Sequence, residues 1–301
     1  SRDCLLKKSE GLNEGKGVLS SKDKTQIIQS LRPEYSLEAL LQVSRMKRAT
    51  YYYHAKDRPD KYLATRRQIH YIFSQHKERY GYRRVWLTLR ANGEVINRKV
   101  VARLMQEEGL KAKQRRIHYR SYKGSVGKIA PNVLDRQFSA EKPNQKWSTD
   151  VTQVDIKGKK CYLSPILDMW NGEIISYCIS DSPNLKMVTT MLKRACQKYP
   201  DTEQLILHSD QGWHYQHRTY QDLLKRHHIT QSMSRKGNCL DNAMMENFFG
   251  LMKKELLYTN QFDSINDFKR QLKKYIIYYN KDRIKLRLGM SPMQYRSKYQ
   301  I

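Results

Sequence analysis

Asp150, Asp210 and Glu246 are the residues whose chemistry the rest of the chain has to serve. Asp150 lies in a strand-like run, Lys146-Trp147-Ser148-Thr149-Asp150-Val151-Thr152-Gln153-Val154. Asp210 closes a second run, Gln204-Leu205-Ile206-Leu207-His208-Ser209-Asp210, which reads as a short buried strand ending at a turn, Gln211-Gly212. Fifty-nine residues separate the two aspartates, and thirty-five separate Asp210 from Glu246. Glu246 falls on a strongly patterned helix, and Lys253, seven residues on, shares its face to within roughly 20° by the 3.6-residue repeat. Leu240, Met244, Phe248 and Leu251 are expected to form a separate, core-facing stripe. Two strand-borne aspartates and a helix-borne glutamate suit Mg²⁺, which takes oxygen ligands and is usually held by carboxylates together with substrate phosphate. Three such groups can hold two ions roughly 4 Å apart, serving the attacking and leaving oxygens of an in-line displacement at phosphorus. In that scheme Asp150 bridges both ions, and Asp210 and Glu246 take one each.

The flanking residues extend the site. Arg235, Lys236 and Asn238 precede the Glu246 helix on a loop, where cations beside a helix start would grip phosphate. Gln211 sits at the Asp210 turn, and Trp213 and Tyr215 follow it, either to stack on splayed bases or to pack inside. His208 reads as a core histidine. Asp155 and Asp168 belong to hairpin strands, and Asp241 to a helix start that favours negative charge.

These groups need a scaffold and a partner. At 301 residues with 39% hydrophobic content, the chain can fill about two domains. Its net charge of +28 is uneven: residues 1–142 carry 32 Lys+Arg against 14 Asp+Glu, 143–270 carry 17 against 14, and 271–301 carry 8 against 1. A near-neutral block between two basic ones fits flanks that neutralise phosphates around a carboxylate centre. Tyrosines interleaved with the basic residues favour nucleic acid over a membrane, as does the lack of a long apolar run. The five cysteines are scattered with no C-x-x-C pair, so neither a disulfide framework nor a structural zinc site is expected. No signal peptide is evident, and a reducing, cytoplasmic setting is expected.

Along the chain, residues 1–22 read as a flexible tail. Residues 23–56 hold short helices, the last one basic, which suit a helix-turn-helix with Arg45, Lys47 and Arg48 as candidate DNA contacts. Residues 57–110 read as a second unit of this kind, with Tyr82, Arg83, Arg84, Arg98 and Lys99 as contacts, more to phosphates than to bases. Residues 111–142, with Arg115 and Arg116, read as a basic linker, either tracking DNA or simply solvated. From Pro143 the period changes to two. Three strands joined by Lys157-Gly158 and Asn171-Gly172 hairpins are followed by alternating helices and strands to about residue 265. That order describes an α/β ribonuclease-H-like catalytic core with a mixed sheet, preceded by small all-α helix-turn-helix domains. Residues 266–301 read as a basic helical segment with Arg283 as a further DNA contact, ending in a turn capped at Ser291-Pro292.

The chain resembles the DDE-type insertion-sequence transposases of the retroviral-integrase superfamily, in particular the integrase-like second reading frame of the insertion-sequence-three family. The resemblance runs from about Ser36 to the C-terminus. It is carried by Trp147 to Val154, His208-Ser209-Asp210-Gln211-Gly212, Gly237-Asn238 to Glu246 with Phe248 and Phe249, Lys253, and Tyr278-Tyr279-Asn280 through Ser291-Pro292. It implies Mg²⁺, with Mn²⁺ substituting, at two ions per site, cleavage at element ends, and strand transfer by the freed 3′-hydroxyl. Lys253 would lie along bound DNA near the terminal bases. The implied partners are double-stranded DNA, both transposon ends and target, and further copies of the chain, a dimer at least, on the bacterial nucleoid. The family generally adds an upstream helix-turn-helix and leucine zipper by frameshift fusion, a part not present in these residues.

Two other functions compete. A ribonuclease-H-like nuclease without strand transfer has little need of paired helix-turn-helix units. A DNA-binding regulator on a non-catalytic fold has no need of three carboxylates.

Overall fold

A computed structural model describes residues 20–56, 60–113, 130–235 and 239–299. The chain divides into two compact units, Ser1–Thr65 and Arg66–Ile301. In the first, α1 (Ser21–Leu31), α2 (Leu37–Ser44) and α3 (Arg48–Ala55) close over Ile28, Leu31, Leu40, Leu41, Met46 and Tyr51. The expected tail to residue 22 ends earlier, because Ser20 and Asp23 form a reciprocal capping box that starts α1 at Ser21. The α2–α3 turn uses Arg45 at φ 51°, a left-handed position usually given to glycine. Arg45, Lys47 and Arg48 are all exposed on this turn.

The second unit opens within the first turn of α4 (Leu63–Gln75), followed by α5 (Tyr82–Ala91) and α6 (Arg98–Glu107), which bury Ile69, Phe73, Val85, Leu89, Val101 and Leu104. Asn97 caps α6 by accepting from Lys99 N, and Gly93 takes φ +89° in the turn before it.

The sheet that follows is mixed. Strands β1 (Lys146–Thr149) and β2 (Thr152–Ile156) lie along one edge of the long β3 (Lys159–Asp168), and β4 (Ile174–Ser180) lies along the other. Thr149 faces Ile166 and Thr152 faces Leu163, so β1 and β2 keep one register across the break at Asp150-Val151. The break lies opposite Ser164-Pro165, and a proline has no N–H to give the ladder. The β2–β3 hairpin turns on Lys157 and Gly158 at φ 52° and 78°, as a two-residue loop requires. Beyond β1, β5 (Ile206–Ser209) and β6 (Thr230–Met233) are parallel. Helix α7 (Leu185–Lys198) precedes β5, and the short α8 (Trp213–Gln216) and α9 (Arg218–Arg226) lead to β6.

A 3₁₀ turn (Cys239–Asn242) leads into α10 (Ala243–Met252). After a π-turn (Lys253–Leu257) come α11 (Ile265–Lys281) and α12 (Pro292–Tyr299). One layer packs α7 and α9 on the sheet around Trp147, Val188, Met191 and Leu207; the other packs α10 and α11 around Leu163, Phe248, Phe268 and Tyr279. Two expected boundaries dissolve here. The C-terminal segment is part of the core rather than an appended basic piece, with Phe268, Leu272, Tyr275, Ile276 and Tyr279 all buried on α11. Residues 130–142, read as linker, also dock, since Leu134 is buried and its N–H donates to Ser232 Oγ at 3.1 Å.

Candidate active site

The strand register alone brings the two aspartates together. Ser148 on β1 stands level with His208 on β5, so two residues later Asp150 is level with Asp210. Neighbouring strands lie about 5 Å apart, and level residues on parallel strands point to one face. Both sit at the carboxyl ends of parallel strands, the crevice where open α/β sheets place ligands.

Local chemistry holds each carboxylate. Asp150 Oδ1 accepts from Val151 N at 2.7 Å, and Asp210 Oδ1 accepts from Gly212 N at 2.9 Å. A Cβ on Gly212 would stand 2.9 Å from Asp210 Oδ1 and 3.1 Å from His214 Nε2, so a larger residue there would have to push these side chains aside. Burial pushes the Asp150 carboxyl well above the usual carboxylate range, and the charges of Asp210 and Glu246 push it further. Burial raises Asp210 too.

Glu246 is placed by the start of α10. Ser148 Oγ donates to Asn242 Oδ1 at 2.6 Å, and Asn242 Nδ2 donates to Thr149 O at 3.4 Å, which pins the helix to β1 just before Asp150. The adjoining Asp241 is fully buried and takes Arg235 by two guanidinium bonds of 2.9 Å and Arg136 by one of 2.9 Å. The Arg235 hydrogen bond, partly opposed by burial, holds this carboxyl below the ordinary range. Asp241 is thus an ion-pair anchor, where the sequence pointed to the helix dipole.

The buried face of α10 is Met245, Phe248, Phe249 and Met252, with Met244 and Leu251 at its margin, a shift of one position from the expected stripe. Glu246 and Lys253 stay off that face, partly exposed. Lys253 lies near enough to Asp150 for the two charges to act on each other, and burial pulls its ammonium down from the ordinary lysine value.

As the side chains stand, no three His, Cys, Asp or Glu among the described residues form a set that could hold a metal ion. The closed triad expected from the sequence is therefore a pair, Asp150 and Asp210, with Glu246 close enough for its charge to be felt. The donor set still fits a hard divalent cation: all oxygen, facing one crevice, and with anionic charge that burial disfavours.

The other expected site residues separate into groups. Trp213 is 54% exposed beside Asp210, whereas Tyr215 is fully buried with its hydroxyl 3.4 Å from Thr149 Oγ1. Gln211 Nε2 donates to Ser234 O at 3.0 Å. His208 is a core histidine with Nδ1 2.9 Å from Ser232 Oγ; burial brings its imidazole down to about 4. Arg83, Arg98 and Lys99 are exposed, and Tyr82 is partly so. Arg84 turns inward, donating to Ile284 O at 2.9 Å. Arg283 is no DNA contact: it is 2% exposed and closed by Glu255, and a phosphate would have to break that pair to reach it. Lys236, Asn238, Arg115 and Arg116 lie outside the described residues. Sequence reasoning missed Asn242 and Ser148 as the tie between helix and strand; the polar Asp-Asn pair at the helix start was the available signal.

Comparison with known proteins shows the family. Residues 140–239 match the Integrase core domain family, residues 246–299 match a second family of that description, and residues 60–118 match the HTH-like domain family. The putative transposase InsK for insertion sequence element IS150 of Escherichia coli (strain K12) is 48% identical over 90% of this chain and 97% of its own length. The chain belongs to the insertion-sequence transposases. Transposase InsF for insertion sequence IS3A, from the same organism, is 32% identical over 79% of this chain and 85% of its own. As a member of the family the chain is an enzyme of the transposase and integrase class, with a ribonuclease-H-like catalytic core behind a helical HTH-like region. Among solved structures, the HTLV-2 integrase catalytic core domain in complex with magnesium aligns with 50% of this chain and 95% of its own at 19% identity and a TM-score of 0.41.

Proposed function

We propose that this transposase cuts DNA at insertion-sequence ends and joins the freed 3′-hydroxyl to a new phosphodiester, with Asp150, Asp210 and Glu246 holding two Mg²⁺ ions or, in their place, Mn²⁺. The observation that carries this reading is the pair of partly exposed carboxylates at the ends of neighbouring parallel strands, each made harder to ionise by desolvation. When bound, the ions would activate the attacking oxygen and stabilise the leaving one. Asp150 and Asp210 at the strand ends and Glu246 on α10 would be the residues that hold them.

The chain's own residues would supply positioning. Lys253, on the Glu246 face of α10, would lie along the terminal nucleotides. Trp213 would stack on a base opened near the cut, with Gln211 and Arg235 beside it. Further out, Arg45, Lys47 and Arg48 on one unit, and Tyr82, Arg83, Arg98 and Lys99 on the other, would neutralise phosphates of the end sequence. Lys236, Asn238, Arg115 and Arg116 complete the proposed path. Synapsis of two ends calls for a homodimer or larger assembly on DNA, and the bacterial cytoplasm is where such DNA lies.

The test is incubation with Mg²⁺ or Mn²⁺ and labelled end DNA, with Asp210→Asn as control. Nicked and joined products are expected from the wild type, and Glu246→Gln should bind DNA without cutting it. Nicking without joining would select a plain nuclease, and binding alone a regulator.

A further inference from the structure

The helix that carries Glu246 changes geometry just where Lys253 leaves it. After Met252 it widens into one π-turn, Lys253–Leu257, with Tyr258 N donating to Lys253 O at 2.9 Å. A π-turn inside a helix is rare and tends to mark functional places. Here the force that holds it is visible. Glu255 lies two residues past Lys253, on the far side of the helix, where its side chain is 9% exposed. Arg283 donates to it through Nε to Oε2 at 2.8 Å and through Nη2 to Oε1 at 2.6 Å, and Tyr275 OH adds a third bond to Oε2 at 3.1 Å. Three donors from two other segments on one carboxylate fix the rotation of this helix about its own axis. The face turned the other way carries Lys253 and, two turns back, Glu246.

Arg283 is held in turn from outside the catalytic core. Tyr80 OH donates to Asp282 O at 3.0 Å and accepts from Ile284 N at 2.9 Å, and Arg84 Nε donates to Ile284 O at 2.9 Å. The backbone on both sides of Arg283 is thus gripped by the start of α5 in the HTH-like region. His76 stacks on Tyr80 at 3.7 Å with the rings 8° from parallel, and its Nδ1 lies 3.3 Å from Tyr278 OH. A buried ion pair is a poor source of net stability, and its best-attested use is to specify one arrangement over others.

We infer that Glu255 and Arg283 are positioning residues for the proposed reaction: their pair sets the angle at which α10 presents Glu246 and Lys253 to Asp150 and Asp210, and Tyr80 ties that setting to the HTH-like region. The inference rests on the proposed catalysis and goes beyond it, because neither residue touches the reacting groups. Glu255→Gln, Arg283→Lys and Tyr80→Phe keep size and most of the packing, and each is first checked for cooperative melting. The full chain is then assayed on labelled end DNA across a Mn²⁺ titration. The expected result for Glu255→Gln and Arg283→Lys is an unchanged Kd for end DNA, a cleavage rate at least tenfold lower, and a half-saturating Mn²⁺ concentration at least threefold higher. Tyr80→Phe should move in the same direction by a smaller factor. A folded Glu255→Gln or Arg283→Lys with wild-type rate and metal dependence would overturn the inference. So would a fall in rate at unchanged metal dependence, the signature of a merely structural role. If the wild type itself neither cuts nor joins, the catalytic reading has failed instead; if the wild type acts and Asp210→Asn does not, only the positioning claim is at stake.

Discussion

The carboxylates in and around the candidate site meet two opposite fates. Asp241 and Glu255 are enclosed with guanidinium partners at 2.6–2.9 Å, and the Asp241 carboxyl is held below its ordinary range. Asp150 and Asp210 are partly exposed at the carboxyl ends of neighbouring strands, each accepting from one backbone N–H and with no guanidinium partner among the described residues, and both are pushed up by desolvation. A fold rich in arginine could have matched them with one. That it pairs Asp241 and Glu255 and leaves Asp150 and Asp210 facing one another marks the first two as scaffold and is the arrangement the proposed cation site calls for.

The sharpest way to break this contrast is to neutralise one acid of each kind. Asp210→Asn should lower cleavage of end DNA by ~10³-fold or more while leaving DNA binding intact, since it removes an expected metal ligand. Asp241→Ala should do the reverse in kind: a loss of about 2 kcal/mol in unfolding free energy, read by denaturant melts, as Arg235 and Arg136 lose their shared acceptor. Both arginines are about half exposed, so solvent will recover part of the larger penalty of a fully buried pair.

Gly212→Ala sharpens the contrast at closer range. Its Cβ would press on Asp210 Oδ1, and roughly a tenfold loss of cleavage is expected in single-turnover assays, with stability changed by about 1 kcal/mol or less.

The smallest effect concerns pH. Asp150 and Asp210, with folded pKa values above the unfolded ones, contribute stability that is present at acid pH and lost as pH rises through their raised values. Asp241, with a depressed value, contributes stability that is present above the ordinary carboxylate range and lost as pH falls below it. In metal-free buffer Asp150→Asn should therefore raise Tm at neutral pH by about 2–4 °C, near 1 kcal/mol, and not at acid pH. An unchanged difference across pH would remove the claim that these carboxylates strain the metal-free fold.

Much of this was legible in the sequence because the strands advertise themselves. The period of two and the Lys157-Gly158 turn placed Asp150 on a strand, the Gly after Asp210 placed that residue at a strand end, and the seven-residue spacing placed Glu246 and Lys253 on one helix face, whereas the break that ends β1 at Thr149 fell inside what read as one strand. The misreadings share a cause, dependence on partners distant in the chain. Arg283 in a basic tail reads as surface, and nothing near it in sequence signals that Glu255, 28 residues earlier, meets it inside the core. The 3₁₀ turn before α10 precedes a core face displaced by one position from the stripe assigned to that helix. Residues 130–142 have no period because their docking side chains, Leu134 with Phe138 and Ala140 beside it, are spaced to fit neither a helix nor a strand.

The most direct test of the contrast is Mn²⁺ binding followed by electron paramagnetic resonance, with end DNA present, in the wild type and in Asp150→Asn. Two ions per catalytic core in the wild type, and loss of tight binding in the variant, are the predicted result. Equal Mn²⁺ binding by both proteins would contradict it, and would mean that Asp150 and Asp210 adjoin for some reason other than holding a metal.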